Sequence, residues 1–171
     1  MNKFKPKKHT IYISVGSNIE REKYTKAGLQ GLTEIYGELV LSRVYESVSV
    51  GFQGSHFYNL VVKAFTDLTI DEVCQTLKFI EDNNKRERSS QKFSPRTLDL
   101  DLLLYDAVIS HDSVELPRPE ILYNAFVLQP LAEIAPQDKH PIAGKTYADL
   151  WQEYDKTQQQ LWPIEFTWRP L

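Results

Sequence analysis

The chain has a single cysteine, Cys74, so no disulfide joins two parts of it. Its helix-like surroundings, Asp71-Glu72-Val73-Cys74-Gln75-Thr76-Leu77, point to a buried structural thiol and a reduced, cytoplasmic setting. No stretch approaches the length of a membrane span. The basic start, Met1 to His9, lacks the apolar run of a signal peptide, and residues 1–9 read as a frayed tail. The formal net charge of −3 excludes a global basic field of the kind that recruits nucleic acid; positive charge is local. There is no internal repeat and no dividing linker. The chain as a whole is 42% hydrophobic and 25% charged, and residues 10–171 are expected to form one globular domain around one core.

What is present is a pair of carboxylates in an apolar run, Arg96-Thr97-Leu98-Asp99-Leu100-Asp101-Leu102-Leu103-Leu104-Tyr105. In a strand, side chains alternate, so Asp99 and Asp101 share one face while Leu98, Leu100 and Leu102 share the other. Their Cα atoms are expected roughly 6.5–7 Å apart. Two like charges on one face repel, and Asp disfavours strand interiors, so the pair asks for a cation. Mg²⁺ is the natural candidate, because it takes carboxylate oxygens and arrives with substrate phosphates. A solvated, charged strand edge is the plain alternative. The run before it, Lys85-Arg86-Glu87-Arg88-Ser89-Ser90-Gln91-Lys92-Phe93-Ser94-Pro95-Arg96, favours the metal. Helix-end cations account for Lys85 and Arg86, but not for Lys92 and Arg96 beyond the helix. Cations beside paired carboxylates suit a metal–polyphosphate ligand, with arginine forks on phosphate oxygens.

The order of elements gives a fold class. Ile11 to Val15 reads as a strand ending at a Gly16-Ser17-Asn18 turn that can cap a helix. Residues 19–36 read as an amphipathic helix with Tyr24, Ala27, Leu32, Ile35 and Tyr36 inward, where Gly28 and Gly31 either weaken the helix or mark close packing on the sheet. Leu39 to Val50 and Phe57 to Phe65 read as strands around the Gly51–Ser55 loop. Thr69 to about Arg86 reads as a helix capped by Thr69 or Asp71, followed by the Asp99–Asp101 strand. That order is βαββαβ, the α+β ferredoxin-like arrangement of an antiparallel sheet with helices on one face. Extra C-terminal helices are expected near 124–133 and 146–153, then an extended tail around Trp162, Pro163, Trp168 and Pro170.

The run Ser94-Pro95-Arg96-Thr97-Leu98-Asp99-Leu100-Asp101-Leu102-Leu103 closely resembles the signature of the 6-hydroxymethyl-7,8-dihydropterin pyrophosphokinase family. Gly16-Ser17-Asn18, Phe57-Tyr58-Asn59, Ile80-Glu81 and the segment from Phe126 to Pro136 match in the family's order, so the likeness spans roughly residues 11–137. It implies a ferredoxin-like enzyme of folate biosynthesis that moves pyrophosphate from ATP to a reduced pterin's hydroxymethyl group with two Mg²⁺ ions, releasing AMP. Carried over by position, Asp99 and Asp101 hold the metals, with Arg88, Lys92 and Arg96 completing the catalytic set. Phe57 and Phe126 stack on the pterin, Asn59 bonds its edge, and Ser47, Val48, Ser49 and Val50 lend backbone groups. Glu81, Arg86, Arg88, Lys92, Arg96, Leu102, Arg118 and Asn124 fall on the nucleotide side. The implied partners are small molecules, ATP and the pterin, with no nucleic acid and no membrane; the chain is expected to be a monomer that can associate with other folate-pathway enzymes.

Departures from the family pattern cluster. Arg118 stands where His is common, Asn124 where a basic residue is common, Phe93 where an aromatic, often Trp, is common, and Ser94 where Gly or Ala is usual. Ser47-Val48-Ser49 replaces a Thr-Pro-Pro type segment. Each residue also has a plain reading: core aromatics for Phe57 and Phe126, backbone satisfaction for Asn59, a solvated helix carboxylate for Glu81. Three functions follow: an active pyrophosphokinase with an unusual nucleotide site, a pterin-binding paralogue with lost or altered transfer, and a ferredoxin-like module that binds a polyanion. The last leaves Asp99 and Asp101 as unexplained repulsion and ranks lowest.

Overall fold

The computed structural model describes residues 7–48, 56–84 and 97–171. In chain order the elements are β1 (His9–Ser17), α1 (Arg21–Tyr36), β2 (Val40–Leu41), β3 (Val44–Ser47), β4 (Phe57–Thr66), α2 (Ile70–Asn83), β5 (Asp99–Tyr105), β6 (Ser110–His111) and β7 (Glu115–Leu116). A short 3₁₀ turn (Pro119–Leu122), α3 (Ala125–Ile134), α4 (Tyr147–Glu153) and β8 (Leu161–Ile164) complete them. The main sheet runs β5-β1-β4-β3-β8, with β2 also on β4. Its ladders are antiparallel. The first βαββαβ elements thus make the expected ferredoxin-like sheet, and β8 adds a strand beside β3.

Alternation in the strands sorts side chains into two cores. Ile11, Ile13, Val15, Leu60, Val62, Leu98, Leu100 and Leu102 pack beneath α1 and α2. Tyr12, Val61 and Leu103 face the opposite way, where α3 and α4 cover them with Val127, Leu128, Leu131 and Tyr147. A Cβ on Gly28 would meet Leu98 Cδ1 at 2.8 Å, and one on Gly31 would meet Ile80 Cγ2 at 3.0 Å. The two glycines therefore let α1 close on the sheet side at Leu98 and, beyond the expectation, on α2 at Ile80.

Several expectations are revised. The first strand runs on through Gly16 and Ser17, and α1 starts after Glu20, which sits in the left-handed region without a side-chain cap. Ile35 lies exposed, while Thr25 and Leu29 are buried instead. The expected strand from 39 to 50 breaks at Ser42-Arg43, because Ser42 Oγ accepts from Val61 N at 3.0 Å and takes the place of a ladder carbonyl. Thr69, not Asp71, caps α2, in a reciprocal box with Glu72. The tail does pack on the body, but as strand β8 followed by Phe166 edge-on to Tyr58. Residues 1–6 lie outside the described residues. Lys7 and Lys8 are bonded to Tyr36 O and Asp67, and His9 opens β1. Among the described residues, no helix is long and apolar enough to cross a membrane.

Candidate active site

The central strands carry one polar row across the sheet. Tyr45, Asn59, Gly16 and Asp99 are successive cross-strand partners from β3 through β4 and β1 to β5. Paired residues project to the same face, so Asn59 and Asp99 look away from α1 and α2. One step along, Ser14 pairs with Asp101 on that face. At the other end of the row, Ser47 pairs with Phe57, and Asn59 Nδ2 donates to Ser47 Oγ at 2.9 Å. Gly16 makes room for this: a Cβ there would stand 3.0 Å from Asn59 Oδ1. The loop-side motif Gly-Ser-Asn is thus a strand residue whose missing side chain admits a buried amide from the neighbouring strand.

Asp99 and Asp101 share a face, as alternation predicts, and Leu98, Leu100 and Leu102 fill the helix-side core. Asp101 keeps 38% of its side chain exposed and receives Arg118 Nη2 at 3.3 Å. Burial, then the neighbouring Asp99 carboxylate, push the Asp101 carboxyl well above the usual carboxylate range, while Arg118 pulls against them. The repulsion between the two carboxylates is what favours a cation between them. Among the described residues, no group of three or more His, Cys, Asp or Glu side chains is arranged to hold a metal ion. Two carboxylates are what Mg²⁺ commonly takes from a protein when phosphates and water supply the rest.

Arg118 follows the β6–β7 hairpin and is tied down at several atoms. Its backbone N–H donates to Leu103 O at 3.0 Å and its Nε to Leu102 O at 3.1 Å. Leu102 therefore offers its carbonyl to Arg118, while its side chain is buried in the core. Glu81 is buried on α2, and its Oε2 accepts from Leu100 N at 2.8 Å, so it braces the strand that carries both aspartates. Arg86, Arg88, Lys92 and Arg96 lie outside the described residues, as do Ser49 and Val50.

On the far side of the row, a cavity of about 300 Å³ opens between the end of β3 and α3. Ser47 and Val48 line it from the sheet, Phe126 from α3, and residues 157–161 from the segment entering β8. Its volume is at the lower end of small-molecule sites, roughly 300–1,000 Å³. Helix α3 is fixed to β3 by Glu133, which accepts from Tyr45 OH at 2.6 Å and from Arg43 N at 2.8 Å. Burial, with Glu133 alongside, pushes the Tyr45 hydroxyl up to about 12, so it stays a donor. Asn124, just before α3, receives Gln159 Nε2 at 3.0 Å on its Oδ1. The tail wall escaped sequence reasoning; its visible signal was the amide run Gln158-Gln159-Gln160 ahead of an apolar stretch.

Comparison with known proteins identifies the family. A family model described as 7,8-dihydro-6-hydroxymethylpterin-pyrophosphokinase matches residues 12–136. A protein of Aquifex aeolicus named 2-amino-4-hydroxy-6-hydroxymethyldihydropteridine pyrophosphokinase is 36% identical over 140 residues, covering 80% of this chain and 86% of its own length. A Bacillus subtilis protein of the same name is 35% identical over 141 residues, covering 79% of this chain and 84% of its own. In fold, the chain is similar to Plasmodium falciparum HPPK-DHPS, with a TM-score of 0.70 at 14% identity over 91% of this chain; that solved chain is longer, and this one spans 45% of it. From the polar row, the paired carboxylates and these matches together, the chain belongs to the 7,8-dihydro-6-hydroxymethylpterin-pyrophosphokinase family.

Proposed function

We infer that the chain transfers pyrophosphate from ATP to the hydroxymethyl group of 6-hydroxymethyl-7,8-dihydropterin in folate biosynthesis, releasing AMP. The observation that carries the site assignment is the row Tyr45–Asn59–Gly16–Asp99. It runs along one sheet face from a ring-sized cavity to a carboxylate pair. The pterin enters the cavity beside Phe126, with Phe57 and Asn59 on the adjoining sheet face and backbone groups of residues 47–50 on its edge. Asn59 Nδ2 is used by Ser47, which leaves its Oδ1 as the acceptor for a ring N–H.

At the other end, Asp99 and Asp101 fit two Mg²⁺ ions, whose chemistry when bound is to neutralise the triphosphate and polarise the transferred phosphoryl group. Arg118 lies beside Asp101 and places a guanidinium where phosphate oxygens arrive. Arg86, Arg88, Lys92 and Arg96 add phosphate contacts from the cationic run, while Glu81, bonded to Leu100 N, and Leu102, whose carbonyl holds Arg118, shape the nucleotide side. The hydroxymethyl oxygen bonds to the β-phosphorus, the bridge to the α-phosphate breaks, AMP departs and the hydroxyl proton passes to water. The protein's part is alignment and charge neutralisation. The proposal includes a monomeric chain and a cytoplasmic setting, the latter resting on the lone thiol of Cys74. Among the described residues, nothing in the site favours a polyanion module or an inactive paralogue over this reaction.

The direct test is to mix the purified chain with Mg²⁺, ATP and the dihydropterin and follow AMP. Release of one AMP per pterin pyrophosphorylated supports the reading. No AMP above a protein-free blank refutes it.

A further inference from the structure

Helix α3 begins in an unusual way. A residue in the position of Asn124 ordinarily folds its side-chain oxygen back onto an N–H two or three residues ahead, covering one of the helix's orphan donors. Asn124 makes no such bond, although its backbone is extended as a cap should be. The first-turn donor Ala125 N is instead covered by Gln159, whose Oε1 accepts from it at 2.7 Å. The other end of the same amide, Nε2, donates to Asn124 Oδ1 at 3.0 Å. One side chain, 34 residues away in sequence, thus uses its acceptor and its donor on two consecutive residues at the start of α3.

The next residue is Phe126, which lines the cavity. The segment that carries Gln159 lines it too, and its neighbour Gln160 accepts Val48 N through its backbone carbonyl at 3.4 Å. The tail therefore spans the mouth between α3 and the end of β3 and is bonded to both sides. Asn124 stands where the family resemblance places a basic nucleotide contact, yet its carbonyl is engaged by the tail.

We propose that Gln159 is a positioning residue of the pterin pocket, which caps α3 in place of Asn124 and so sets Phe126, and that Asn124 serves the pterin side as its partner. This rests on the pyrophosphokinase reading and assigns Asn124 to a different substrate from the one its sequence position implies.

The test is steady-state kinetics of Gln159→Ala, Asn124→Ala, the double variant and Gln159→Glu, with melting temperatures alongside. Gln159→Ala should raise the KM for the dihydropterin about tenfold, with kcat and the KM for ATP within about twofold. Asn124→Ala should shift the same parameter, and the double variant should cost less than the two single changes combined. Gln159→Glu keeps the acceptor for Ala125 N, and Asn124 can turn its amide to donate, so it should return the pterin KM to within about threefold of the parent. An unchanged pterin KM in Gln159→Ala overturns the proposal. So does an Asn124→Ala effect confined to ATP, or an equal loss for both substrates that tracks a fallen melting temperature and is not restored by Gln159→Glu. If the parent chain releases no AMP, the pyrophosphokinase reading falls and this proposal with it; if the parent is active and the variants match it, only this proposal falls.

Discussion

Gly16→Ala is a small change that should act on substrate and leave the fold standing. The backbone of Gly16 is not among the positive-φ glycines, so alanine meets no conformational barrier there. The added Cβ would lie 3.0 Å from Asn59 Oδ1 and 3.9 Å from Phe57 Cδ1. Asn59 is buried and bonded to Ser47 at 2.9 Å, so it must give by a few tenths of an ångström in a place with little slack. Pushing a side chain off its rotamer costs about 0.5–1.5 kcal/mol. Weakening the bond to Ser47 adds about 0.5–1.5 kcal/mol. If that cost of about 1–3 kcal/mol falls on the amide that meets the pterin, affinity drops about 5- to 150-fold. Global stability should fall by about 0–2.6 kcal/mol, the same strain less the roughly 0.4–1 kcal/mol that alanine recovers by narrowing the unfolded ensemble. Titration of the dihydropterin in the presence of a non-hydrolysable ATP analogue, with parallel thermal melts, reads both quantities. Pterin affinity within twofold of the parent, in a folded variant, would refute the argument that Gly16 exists to seat Asn59.

The carboxylate pair makes a sharper demand. Asp99→Ala should reduce pyrophosphate transfer at least about 1,000-fold with the circular dichroism spectrum unchanged, and chelation of Mg²⁺ should silence the parent reversibly. Near-normal turnover in either case would remove the metal assignment. Glu133→Ala leaves Tyr45 OH and Arg43 N without their acceptor and should cost about 2 kcal/mol, a melting-temperature fall of about 4–8 °C by calorimetry. His140 supplies pH dependence away from the site. Its buried Nδ1 accepts from Ile142 N at 3.2 Å and Ala143 N at 3.0 Å, and burial lowers its pKa. The unfolded chain then binds a proton more readily than the folded one. The stabilisation is complete above the ordinary histidine value of about 6.5 and is lost as pH falls from there toward the lowered folded value. Melting curves across that window should shift down with acid in the parent and less so in His140→Ala.

The parts of the fold read from sequence were those with local causes. Strand alternation alone placed Asp99 and Asp101 on one face and the leucines on the other, and Thr69 was one of the two residues read as the cap of α2. The errors share a different origin. The break at Ser42 depends on Val61, on a neighbouring strand, and the exposure of Ile35 depends on which side of α1 meets the sheet. The plain reading of Glu81 as a solvated helix carboxylate fails because its partner, the Leu100 N–H, lies on another element. Pairing of β8 with β3 and the Gln159 contacts join positions far apart in the chain, which no periodicity encodes.

The placement of β8 gives the tail two obligations at once. It hydrogen-bonds the outer side of β3, a strand that would otherwise present unpaired backbone groups at the sheet's margin, and the residues leading into it close the cavity. An unpaired margin is a template for other chains. Any change that peels the tail away therefore opens the substrate site and creates a sticky border in the same event, so poor substrate binding and self-association should appear together in tail variants. Selection for a soluble protein and selection for a closed pocket then act on the same few residues, which leaves this short segment less freedom to drift than its exposed position implies.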